Sequence, residues 1–169
     1  INKKSKLYFY RPLSNIVFMG MGEPMMNYKN VVDAIRKITQ EDGLGMSARR
    51  ITVSTSGIPK MMKMLADENL KVKLALSLHS AIEHKRNEIM PFSTKFPLTE
   101  IMEAMQYWYD KTGSRITFEY CVWKGINDGD EDIKALIKYC KQIPCKVNLI
   151  QYNPIGEGKF DHRSVEAEE

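Results

Sequence analysis

A chain of 169 residues has room for one domain with a real core. Its composition, 43% hydrophobic and 27% charged, is ordinary for a globular protein, and no apolar run approaches the ~20 residues that span a bilayer. The formal net charge of +4 permits an RNA or phosphate partner without demonstrating one, and by charge alone a solvated surface is the better reading.

In chain order, residues 1–14 read as irregular, a linker or the end of a truncated element, and no signal peptide is legible in them. Residues 15–19 are a short apolar strand ending in Gly20-Met21-Gly22-Glu23-Pro24. Asn27 is placed to cap a helix running to about Gln40, with Val31, Ala34, Ile35 and Ile38 on one face. A second strand, residues 51–53, ends in Ser54-Thr55-Ser56-Gly57, and Pro59 opens the next helix with Ile58, Met61, Met62 and Leu65 as its stripe. The third strand, residues 72–76, alternates Val72, Leu74 and Leu76 with Lys73 and Ala75 and ends in Ser77-Leu78-His79-Ser80.

A helical turn over 83–90 stops at Pro91, and a longer helix over 98–111 carries Ile101, Ala104, Met105 and Trp108. The fourth strand, residues 116–122, leads to Gly125-Ile126-Asn127-Asp128. A helix over 130–141 follows, acidic at its start and basic at its end as the helix dipole favours. Ile133, Leu136, Ile137 and Cys140 form its expected buried stripe. The last strand, residues 146–151, ends in Tyr152-Asn153-Pro154, and a polar tail begins at Gly156. Strands alternating with helices predict an α/β fold whose parallel strands, joined by right-handed crossovers, curl into a barrel or partial barrel. The expected division is 1–14, a core over 15–156, and a tail over 157–169.

In such repeats the functional groups sit at the C-terminal edge of the strands. All five strands here end in small or polar residues, which converts scattered positions into one candidate pocket. Glycines after the first strand let a ligand approach the backbone, and Glu23 places a carboxylate there that suits an ammonium or hydroxyl better than a phosphate. Taken alone, this stretch reads more readily as a tight turn with a helix-starting Glu. Ser54-Thr55-Ser56-Gly57 offers hydroxyls and N–H groups to a ligand, or else an N-cap. His79 and His84 are five apart with no third ligand in reach, which speaks against a metal site. Cys121, Cys140 and Cys145 contain no C-x-x-C, fit no zinc or iron–sulfur spacing, and speak against a secreted disulfide framework. Glu119, charged within an apolar strand, needs a partner or a job, and so do Asn148 and Asn153.

Gly20-Met21-Gly22-Glu23-Pro24 with Asn27, Ile51-Thr52-Val53-Ser54-Thr55-Ser56-Gly57, Leu74-Ala75-Leu76-Ser77-Leu78-His79, Phe118-Glu119-Tyr120, Asn127-Asp128, and Cys145-Lys146-Val147-Asn148-Leu149-Ile150 with Asn153-Pro154 follow one another in order. Together they resemble the radical S-adenosylmethionine RNA methyltransferases of the RlmN/Cfr type, over about residues 15–155. The resemblance implies a partial parallel (β/α) barrel holding S-adenosylmethionine beside a [4Fe-4S] cluster. It places Gly22 and Glu23 on the methionine amino end, Ser54, Ser77, Leu78 and His79 along the rest of the cofactor, and Asn153 on the adenosine side. It implies methylation of carbon 2 of an adenosine in 23S rRNA, and in some members of tRNA, through a cysteine-borne methyl group and a 5′-deoxyadenosyl radical. It further implies a cytoplasmic, monomeric enzyme that contacts no membrane and is served by an electron donor such as flavodoxin.

Two parts of the family pattern are absent from this sequence: the C-x-x-x-C-x-x-C cluster loop and the segment with the methyl-carrying cysteine. Cluster ligands and a catalytic cysteine are therefore not expected in this chain, which reads as a central part of the enzyme, without activity by itself. The alternatives are the sibling enzyme that methylates carbon 8 and confers antibiotic resistance, a radical S-adenosylmethionine activase acting on protein, and a non-catalytic RNA- or ribosome-binding βα module.

Overall fold

The fold was obtained as a computed structural model that describes residues 1–153. Pro154 and the expected tail from Gly156 lie outside the described residues. Five strands, β1 (Ile16–Phe18), β2 (Ile51–Thr55), β3 (Lys73–Ser77), β4 (Ile116–Val122) and β5 (Cys145–Gln151), form one parallel sheet in the order β1-β2-β3-β4-β5. The connections carry α2 (Tyr28–Thr39), α3 (Pro59–Asp67), α4 (Glu83–Ile89) with α5 (Leu98–Thr112), and α6 (Asp130–Cys140). Among the described residues no helix is long and apolar enough to cross a membrane.

Strand alternation sorts the sheet into two faces. Ile51, Val53, Leu74, Leu76, Ile116 and Phe118 point outward into a core closed by Ile35, Met62, Ile101, Met105 and Trp108 of the helices. Thr52, Lys73, Thr117, Glu119, Lys146 and Asn148 take the other, concave face. Glu119 sits opposite Asn148 in the β4–β5 register and accepts a hydrogen bond from its Nδ2 (2.6 Å), so the buried carboxylate has its partner.

Three local expectations are corrected. Residues 2–9 are not irregular but form a helix, α1 (Asn2–Phe9), with no buried residue. Its lysines and leucine are good helix formers, and Asn2 Oδ1 accepts from the Leu13 N–H (3.0 Å) to fold the following chain back. Asn27 stands at the N-cap position of α2 as expected but makes no side-chain cap bond; its Oδ1 accepts instead from Asn30 Nδ2 (2.6 Å), while Glu23 caps the 3-10 turn over Pro24–Asn27 that leads into the helix.

On α6 only half of the expected stripe packs inward: Leu136 and Cys140 lie partly buried against the core, Ile133 and Ile137 are 51% and 49% exposed, and the fully buried residues are Asp132 and Tyr139. The reason is that β5 ends the described sheet. The outer residues Val147 and Leu149 and the α6 stripe line an open apolar groove, while α6 turns its polar side toward α4 and α5. There Lys85 Nζ donates to both Asp132 oxygens (2.9 and 2.8 Å), and Tyr139 donates to the Leu98 carbonyl (3.0 Å).

The turn out of β2 depends on one glycine. Gly57 has φ +96°, and a Cβ there would lie 2.8 Å from Ile101 Cδ1 and 3.0 Å from Leu76 Cδ1. Backbone strain and core overlap act together, so Gly57→Ala should cost about 2–4 kcal/mol in urea unfolding. A loss below about 0.5 kcal/mol would mean that Ile101 and Leu76 yield freely.

Candidate functional site

The outgoing ends of β1, β2 and β3 converge on a cavity of about 490 Å³, within the usual range for small-molecule sites. Gly20, Gly22 and Glu23 reach it from β1, Ser54, Thr55 and Ser56 from β2, and Ser77 and His79 from β3. Met19, Met26, Met90, Pro91 and Phe92 complete an apolar wall.

Glu23 is fixed before any ligand arrives. Its Oε2 accepts from both the Ser56 N–H and the Ser56 hydroxyl (2.7 Å each), and its Oε1 accepts from the Met25 N–H (3.0 Å). A carboxylate has about four acceptor positions, so roughly one remains, on Oε1. This anchoring reaches across 33 residues of sequence. Gly22 stands beside it at φ +94° with open space where a Cβ would point, which leaves the backbone accessible from the cavity.

His79 is held as tightly. It adopts φ +56°, a left-handed conformation uncommon for a residue with a Cβ. Asn127 sustains it, donating from Nδ2 to the carbonyls of His79 (2.6 Å) and Cys121 (2.8 Å) while its Oδ1 accepts from the Trp123 N–H (2.7 Å). The ring accepts at Nδ1 from the Cys121 N–H (3.0 Å) and meets Trp123 edge-on. Because Nδ1 is the acceptor, Nε2 carries the proton, and His79 offers the cavity a neutral N–H donor.

Burial, with help from the Arg86 charge, lowers the His79 pKa from 6.5 to about 4. The unfolded chain therefore binds this proton first, and stability contributed here is intact above pH 6.5 and declines as the pH falls toward 4. The decline should approach about 3 kcal/mol, and His79→Gln should flatten the acid limb of a stability–pH curve. An acid limb that is identical in the variant would refute the assignment.

Of the expected site residues, Gly22, Glu23, Ser54, Ser77 and His79 are together in the cavity wall. The side chain of Leu78 is fully buried on the core side, as strand alternation requires, so only its backbone is near the site; its N–H is bonded to the Glu119 carbonyl (3.0 Å). Asn153 is exposed outside the cavity lining, beyond a Trp123–Tyr152 ring contact at 5.4 Å. Ser54-Thr55-Ser56-Gly57 is not a helix N-cap: α3 begins after Ile58 with no side-chain cap, and Ser56 serves Glu23 instead. The endings of β4 and β5 do not enter the cavity; Asn127 braces His79 from behind. Sequence reasoning missed the Met90–Phe92 wall, which only the fold brings across to β1.

Among the described residues no three His, Cys, Asp or Glu side chains are placed to hold a metal. Burial pushes the Cys121 thiol up and the Cys140 thiol to about 12, so neither is a thiolate in the metal-free chain. The residues present fit S-adenosylmethionine, with a carboxylate for its ammonium, hydroxyls and a neutral histidine for its polar groups, and an apolar wall. They do not fit an iron–sulfur cluster.

No family model matches the chain. A probable dual-specificity RNA methyltransferase RlmN from Flavobacterium psychrophilum is 65% identical over 167 residues, covering 99% of this chain and 48% of that protein. One from Salinibacter ruber is 46% identical, with coverages of 99% and 46%. The chain thus spans about half the length of the curated relatives it matches. A radical S-adenosylmethionine methyltransferase structure from Sphaerobacter thermophilus superposes with a TM-score of 0.92 at 39% identity, covering 98% of this chain and 48% of that one. A domain of a pyruvate-formate lyase-activating enzyme from Bacteroides vulgatus shares the fold at a TM-score of 0.61 and 15% identity, over 86% and 83% of the two chains. Over nearly all of its own residues and about half of theirs, the chain is similar in sequence and fold to RlmN-type radical S-adenosylmethionine methyltransferases.

Proposed function

We propose that this chain supplies the S-adenosylmethionine pocket of an RNA methyltransferase acting on carbon 2 of an adenosine in 23S rRNA, with tRNA as a second substrate. The observation that carries the proposal is the Glu23 carboxylate, pinned by Ser56 and the Met25 N–H with one acceptor position left over. A fixed, charged acceptor beside an open glycine backbone recognises the ammonium of an amino acid. The Ser54 and Ser77 hydroxyls line the same cavity without hydrogen-bond partners among the described residues, and His79 adds its Nε2–H. These groups bind and orient, and the Met19, Met26 and Phe92 wall keeps water from the apolar part of the ligand. When bound, S-adenosylmethionine supplies the methyl group and the radical chemistry that an electron-poor ring carbon requires. The chemistry of this chain's own residues stops at holding it.

Mass spectrometry of methyladenosines in ribosomal and transfer RNA, from cells with and without the gene, tests the proposal. Loss of 2-methyladenosine with the gene is the expected result. Persistence of that nucleoside with loss of 8-methyladenosine would move the reaction to carbon 8, and no change in either would end the RNA assignment.

A further inference from the structure

Arg86 is fully buried, and no carboxylate among the described residues pairs with it. Glu83, one turn earlier on α4, directs its carboxylate to the Leu98 N–H instead (2.9 Å). The Arg86 Nε and Nη1 atoms have no hydrogen-bond partner among the described residues. Only the field of the Glu83 carboxylate and a few carbonyl bonds offset this charge, and burying a charge without an ion pair costs several kcal/mol, so its position calls for a reason.

The reason lies where the sheet opens. The β2–β3 ladder ends at the pair Thr55 and Leu76. One residue further on, the strands part around the cavity, and the Ser56 and Ser77 carbonyls fall outside the ladder. Arg86 Nη2 donates to both of them, at 2.6 Å to Ser56 and 3.3 Å to Ser77. Ser56 is also the residue whose N–H and hydroxyl hold Glu23, and Ser77 is a cavity-wall residue beside it.

We propose that Arg86 is a positioning residue of the cofactor pocket: by tying together the outgoing ends of β2 and β3, it fixes Ser56 and, through Ser56, the Glu23 carboxylate. The proposal rests on the cofactor reading above for its functional consequence, not for its geometry. Its charge beneath the pocket also acts on His79, whose pKa it helps to lower.

The test uses Arg86→Met and Arg86→Lys in the full-length protein, with two readouts. One is hydrogen exchange of the Ser56 amide without cofactor; the other is equilibrium dialysis of S-adenosylmethionine. In Arg86→Met a burial penalty disappears with the charge, so thermal stability is expected to hold. The Ser56 amide should exchange about tenfold faster and the cofactor should bind about tenfold more weakly. Arg86→Lys, which keeps the charge and part of the bonding, should recover most of both. If Arg86→Met does not fold, Arg86→Gln decides in its place: faster Ser56 exchange and weaker cofactor binding than in Arg86→Lys support the proposal, and wild-type values in both readouts overturn it. Unchanged Ser56 exchange in a folded Arg86→Met overturns it as well. If Ser56 exchange rises but the wild type itself binds no S-adenosylmethionine, the cofactor reading fails while the positioning role stands.

Discussion

Glu23→Gln should weaken S-adenosylmethionine binding about a hundredfold, the value of one charge-assisted hydrogen bond of about 2–3 kcal/mol. The amide oxygen can take only one of the two positions that the carboxylate now fills. If it keeps the pair of bonds from Ser56, its NH2 confronts the Met25 N–H, donor against donor, and turns further donors toward a ligand ammonium. Methylation of RNA should fall at least in proportion at cofactor concentrations below the new Kd. Equilibrium dialysis on the full-length variant, with a thermal melt as control, reads the effect. Unchanged affinity would reduce Glu23 to the cap of its 3-10 turn and favour a binding module over an enzyme.

Asn127→Leu should be the most destabilising exchange at the rim of the site, by about 3–5 kcal/mol. Its side chain makes three bonds to backbone, with the His79 and Cys121 carbonyls and the Trp123 N–H, and its own carbonyl accepts from the Tyr120 hydroxyl (2.8 Å). Leucine fills the space but makes none of the three side-chain bonds, and His79 loses what holds it at φ +56°. Chemical denaturation gives the stability, and the imidazole proton shifts of His79 report whether its ring leaves the Cys121 N–H. A stable variant with an unmoved His79 ring would show that Trp123 packing alone places it.

The strands were legible because they are short runs rich in apolar and β-branched residues bounded by turn residues, and every strand expected from the sequence is present within two residues. The pocket was legible at β1, β2 and β3, where polar residues directly follow such runs. What escaped is what depends on partners distant in sequence. Arg86 reads in Glu83-His84-Lys85-Arg86-Asn87-Glu88 as one of several surface charges, and only the packing of α4 onto the ends of β2 and β3 buries it. The α6 stripe was read correctly as apolar, and wrongly as covered at Ile133 and Ile137, since its periodicity does not say that β5 has no described strand on its outer edge. α1 escaped for the opposite reason: it buries nothing, and so leaves no periodic trace.

The strictly consecutive strand order has a consequence for how the molecule is made. Each strand pairs with the one synthesised immediately before it, so the sheet can be laid down in the direction of translation without waiting for distant chain. Every residue lining the cavity falls between Met19 and Phe92. The walls of the pocket therefore leave the ribosome before β4 is made, and β4 and the loop bearing Asn127 arrive afterwards to lock His79 into a cavity whose outline is already drawn.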